Sequence, residues 1–69
     1  METCFSIRGD YIELIKLLKA SGFCSTGGMA QAAASEGRVR VDGQIERRKR
    51  SKIRRGQIVE FDGDTIRVE

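Results

Sequence analysis

At Gly37 the spacing of apolar residues switches from helical to alternating. The switch confines the chain to an α+β fold with its helices first and most of its strands after. Upstream, Tyr11, Leu14, Ile15 and Leu18 recur at helical spacing with Ile12 and Leu17 beside them, which predicts a first helix over 11–20. Asp10 reads as its N-cap and Glu13, three residues on, as the other half of a capping box. Ser21-Gly22 ends it, since glycine suits the left-handed residue that follows a helix. Ser25 or Thr26 caps a second helix, built from Met29, Ala30, Ala32, Ala33 and Ala34 and closing at Glu36-Gly37. Its small side chains allow close packing, so the two helices are expected to form a hairpin.

Downstream, Arg38-Val39-Arg40-Val41 alternates, with the valines inward and the arginines on the opposite face. Asp42-Gly43 is a tight-turn signal, and Gln44-Ile45-Glu46 returns from it. Ile53 is a lone apolar anchor after a run of cations. Two further strands are expected over 57–61 and 65–68, joined by the Asp62-Gly63-Asp64 turn, and an initial strand over 3–7. The expected order is β-α-α-β-β-β, a helical hairpin packed on a small twisted antiparallel sheet, forming one domain over residues 1–69. Phe5, Tyr11, Phe23 and Phe61 all fall at expected core positions, which leaves no aromatic platform for single-stranded bases.

Chemistry is constrained as much by what is missing. The chain has no histidine, so the usual base at neutral pH is absent. Asp62 and Asp64 share a turn, where local backbone hydrogen bonding accounts for them, and Cys24 has no accompanying base. Cys4 and Cys24 sit beside apolar residues and form no C-x-x-C pair, so both read as packing thiols rather than zinc ligands. No catalytic residue, metal, cofactor or small-molecule substrate is expected. No apolar run approaches the roughly 20 residues that span a bilayer, and no signal peptide is visible. A monomer in a reducing, cytoplasmic setting is therefore the expectation.

The charge is strongly segregated. Residues 38–55 hold nine of the thirteen basic residues against two acidic ones, Asp42 and Glu46, for a net +7; the remainder carries −4. A field so directional favours a polyanion. Arg38 and Arg40 on a strand, with Arg47, Arg48, Lys49, Arg50 and Lys52 in the adjoining loop, are the candidate phosphate contacts. Arg54 and Arg55 border the patch. Ser25, Thr26, Gly27 and Gly28 form a second candidate, because free N–H groups at a helix start attract anions and glycines let a phosphate approach. With no stacking platform expected, structured RNA fits better than a base sequence. A recognition helix for duplex DNA is missing, since alanines fill the second helix. Charge alone leaves open an adaptor docking an acidic protein surface, and duplex DNA binding.

These residues resemble a known family. The first helix, Gly22-Phe23-Cys24-Ser25, the alanine-rich helix, Glu36-Gly37-Arg38-Val39-Arg40-Val41-Asp42-Gly43 and the later Gly56-Gln57-Ile58-Val59 are similar to the alpha-L RNA-binding motif, named after ribosomal protein S-four. With the run Arg48-Lys49-Arg50-x-Lys52, the whole chain looks like the small stand-alone YbcJ-like proteins of bacteria. The Ser-x-Gly-Gly-Met-Ala stretch resembles other stand-alone members linked to ribosome maturation. The resemblance implies non-catalytic binding of structured RNA, often ribosomal or transfer RNA. Many members carry arginines in the first turn of the second helix and one turn later. Gly27 and Gln31 stand there in this chain, which shifts the expected load to Arg40 and to residues 47–52.

Overall fold

Thr26 shows most directly how local chemistry sets an element. Its backbone is extended, and its hydroxyl accepts a hydrogen bond from the Met29 N–H at 3.1 Å, which starts helix α2 at Gly27–Ser35. In the computed structural model, which describes residues 2–69, α2 packs against α1, Leu14–Ala20. Ala30, Ala33 and Ala34 share one buried cluster with Leu14, Leu17 and Leu18. The strands are β1 Glu2–Phe5, β2 Ile12–Glu13, β3 Val39–Val41, β4 Gln44–Ile45, β5 Lys52–Ile53, β6 Ile58–Phe61 and β7 Asp64–Val68.

Five strands form one sheet in the order β1-β7-β6-β3-β4, and β2 pairs with β5 in a separate short ladder. The Asp42-Gly43 hairpin joins β3 to β4 with positive φ at both residues, 52° and 84°, the backbone twist a two-residue hairpin requires. Asp62-Gly63 does the same between β6 and β7. Val39, Val59, Ile66 and Val68 line the sheet's inner face and complete the core with Ile7, Cys24 and Ile53. No polar residue is buried among the described residues. None of the described helices is long and apolar enough to cross a membrane.

The α+β class and the helical hairpin agree with expectation, and five details differ. The first helix begins at Leu14, because Ile12 and Glu13 pair with Ile53 and Lys52 as strand β2; Asp10 caps nothing, and Glu13 makes no side-chain cap. The sheet is mixed, since β1 runs parallel to β7, while its other pairings are antiparallel. Cys4 faces solvent, whereas burial pushes the Cys24 thiol upward, as befits a packing group. Tyr11 is exposed rather than part of the core, while Phe5, Phe23 and Phe61 pack against its margin. The Asp62 carboxylate bonds to Arg38 across the sheet instead of to its own turn.

Ile53 is fully buried although cations precede and follow it. Its burial ties the basic segment to the core. Ile53→Ala should therefore lower global stability by about 2–5 kcal/mol, the cost of emptying a packed aliphatic site. Urea unfolding followed by circular dichroism checks this, and an unchanged midpoint would remove Ile53 from the core.

Candidate nucleic-acid interface

Strand β4 ends at Ile45 and β5 begins at Lys52, so residues 46–51 must cross between two sheets while carrying four cations. Glu46 organises that crossing. Its Oε1 accepts from the Arg48 backbone N–H at 3.0 Å and from Arg48 Nε at 3.2 Å; its Oε2 accepts from Arg48 Nη2 at 3.3 Å and from the Ser51 hydroxyl at 3.2 Å. The Ser51 N–H donates to the Arg48 carbonyl at 3.1 Å, closing a turn. The Arg48 guanidinium, and then its backbone N–H, hold the Glu46 carboxyl below the usual carboxylate range, with the Ser51 hydroxyl adding to them against the opposing effect of burial.

Two further tethers fix the loop from beneath. The Leu14 N–H donates to the Ser51 carbonyl at 2.9 Å and the Ile15 N–H to the Lys49 carbonyl at 3.2 Å. The loop backbone thus satisfies N–H groups in the first turn of α1 that have no acceptor inside the helix. At its other end, Arg47 Nη1 donates to the Ser35 carbonyl at 3.0 Å, in the last turn of α2. The guanidinium lies over Gly37, where a Cβ would come within 3.0 Å of Nη2, and Gly37 has a φ of 77°. The left-handed backbone is what favours glycine there, since the close neighbour is the far end of a flexible side chain.

These tethers sort the predicted contacts. Lys49, Arg50 and Lys52 are exposed, and among the described residues no carboxylate lies within 4.0 Å of them. With Arg48 and Ser51, Arg50 and Lys52 line an open hollow of about 400 Å³. Arg38 has intramolecular partners instead. It forms an ion pair with Asp62, donates to Glu36 Oε1 at 3.2 Å, and stands 5.1 Å from the Phe61 ring centroid. Those carboxylates raise its pKa further, and Arg38 in turn holds the Asp62 carboxyl low. Arg40 is exposed on β3 and sits with Arg38 in a second hollow, beside Glu60 and Asp62. Arg38 and Arg40 do not line the hollow of the loop. Arg55 donates to the Ile7 carbonyl at 3.0 Å.

At the start of α2 the Thr26 hydroxyl is engaged as the cap, and the Ser25 hydroxyl donates to Met29 Sδ at 3.1 Å. A Cβ on Gly27 or Gly28 would meet only ordinary contacts at 3.8 Å, so crowding does not account for the glycine pair. Tyr11, expected in the core, lies instead beside the basic segment. Lys52 Nζ stands 5.1 Å and Arg54 Cζ 5.8 Å from its ring centroid. Only the β2–β5 pairing, which has no local signature, brings residue 11 beside residues 52 and 54.

Comparison with known proteins agrees with this architecture. The family model for the S4 domain matches residues 5–69. YbcJ of Escherichia coli (strain K12), a candidate RNA-binding protein, is 47% identical over 58 residues, covering 84% of this chain and 83% of the relative. An uncharacterised YbcJ of Shigella flexneri matches with the same identity and coverage. The solution structure of E. coli YbcJ, described as revealing an alfaL motif involved in RNA binding, superposes with a TM-score of 0.74 at 44% identity. That superposition covers 94% of this chain and 84% of the other.

The Glu46 clamp has a pH signature. A carboxyl whose folded pKa is depressed contributes stability above its ordinary pKa, and that contribution is lost as pH falls through the depressed value. The Arg48 amide resonance should therefore titrate with a midpoint below the ordinary glutamate value of about 4.3. Glu46→Gln should abolish the titration. An Arg48 amide insensitive to acid would mean that Glu46 does not hold the loop.

Proposed function

Because the chain belongs to the S4 domain family, we propose that it is a non-catalytic protein that grips structured RNA through Lys49, Arg50 and Lys52. The observation that carries this reading is a basic loop whose backbone is tethered inward at residues 46–51 while those three cations stay exposed without carboxylate partners. Such a loop is ordered before its ligand arrives, so less ordering entropy opposes binding. Arg48 flanks the same hollow and can turn part of its guanidinium outward; Arg40 and the Gly27-Gly28 amides supply secondary phosphate contacts. Ribosomal RNA is the target class we favour, on the resemblance of Ser25–Ala30 to stand-alone members linked to ribosome maturation. We propose further that the protein acts as a monomer in the cytoplasm.

Replacing Lys49, Arg50 and Lys52 together by alanine should weaken binding to a folded ribosomal RNA fragment by roughly 100-fold, about 1 kcal/mol per lost phosphate contact. The slope of log affinity against log salt should flatten by about 3, near one for each contact removed. Far-ultraviolet circular dichroism should not change. Filter binding with matched duplex DNA as competitor reads both quantities. Retained RNA affinity in the triple variant would move the site elsewhere, and preference for DNA would overturn the choice of ligand.

A further inference from the structure

Tyr11 does something the phosphate loop does not explain. Phe5, Phe23 and Phe61 pack against the core, whereas Tyr11 is 42% exposed, with no part in the buried cluster. Its ring is held by cations: Lys52 from β5 and Arg54 just beyond it. The pairing of Ile12 with Ile53 and of Glu13 with Lys52 fixes the backbone immediately after Tyr11, and fully buried Ile53 anchors that ladder to the core. The ring therefore stands beside Lys52, which also lines the open hollow of the basic loop.

We propose that Tyr11 is a stacking site for one unpaired nucleobase, so that the protein recognises a place where paired RNA gives way to unpaired RNA. The inference rests on the RNA-binding reading above and adds to it the kind of RNA preferred. An exposed cation–π contact contributes roughly two- to fivefold to an equilibrium. A base stacked on an exposed aromatic ring contributes roughly fivefold to a hundredfold. Two such contacts together contribute roughly 4- to 25-fold, which stacking offsets only in part of its range. The exchange is completed because the two released cations then meet the phosphates that flank the stacked nucleotide. Free protein keeps the ring ordered by its cations, and bound protein exchanges both partners at once. Uniform duplex offers the loop its phosphates but gives Tyr11 nothing to stack on, because its bases are already paired and stacked.

The chain carries one tyrosine and no tryptophan, so its intrinsic emission reports on Tyr11 alone. A stem-loop RNA and a blunt duplex of the same stem are titrated into the protein, with emission corrected for absorption by RNA. The stem-loop should quench the tyrosine strongly and the duplex should not. Tyr11→Ala should weaken stem-loop binding about tenfold and leave duplex binding unchanged, while Tyr11→Phe keeps the wild-type preference. If both RNAs bind with unaltered emission and Tyr11→Ala behaves as wild type, the stacking site is overturned and RNA binding stands. If neither RNA binds, the RNA-binding reading falls and this inference falls with it.

Discussion

Two backbone hydrogen bonds, from Leu14 to Ser51 and from Ile15 to Lys49, hold the protein's most highly charged segment against its core. The first turn of a helix leaves N–H groups unsatisfied, and α1 has no side-chain cap at Glu13. A run of cations, for its part, resists being folded into a tight turn. Each need answers the other: the loop supplies carbonyls at the positive end of α1, and α1 fixes where the loop's carbonyls must point. Glu46 reinforces this from within the loop by gathering Arg48 and Ser51. What remains free is the set of side chains facing solvent.

The basic residues consequently divide by task. Arg38, Arg47 and Arg55 are fastened to Asp62, to the Ser35 carbonyl and to the Ile7 carbonyl. The planar guanidinium suits such work, since it reaches carbonyl and carboxylate oxygens with fixed geometry. Lys49 and Lys52, flexible point charges, remain at the surface with Arg50. A net charge of +7 over residues 38–55 thus overstates the charge available to a ligand, because part of it serves to staple the hairpin, the sheet and the N-terminal segment together.

Local signals were legible where one short stretch sufficed. The Thr26 cap, the Asp-Gly turns, the alternation at Val39 and Val41 and the alanine face of α2 all follow from neighbours within a few residues. The β2–β5 ladder was not legible, because it joins Ile12 to Ile53 with only two residues on each side. Its absence from the reading carried the first helix three residues too far back and placed Tyr11 in the core. Within the basic run, identity alone could not separate Arg47, fastened to Ser35, from Arg50, which faces solvent. That distinction depends on which side chains find an oxygen in the folded state. The resemblance of Gly37 through Gly43 to the alpha-L motif foretells the frame, and the left-handed backbone of Gly37 gives a physical reason for one of its glycines.

The parallel pairing of β1 with β7 bears on how the molecule comes into being. Of the described strands β1 precedes all the others, yet its partner in the sheet follows all the others, and β7 also lies between β1 and β6. A growing chain can close the helical hairpin and the β3–β4 turn from local contacts. It cannot give β1 a place until β7 is available to pair with it, a closure over more than 60 residues with the entropy cost of a long loop. During synthesis, Glu2–Phe5 is therefore an unpaired strand awaiting its neighbour. Completion of the sheet belongs to the moments after translation has passed residue 68, when the slow, non-local step of folding can occur.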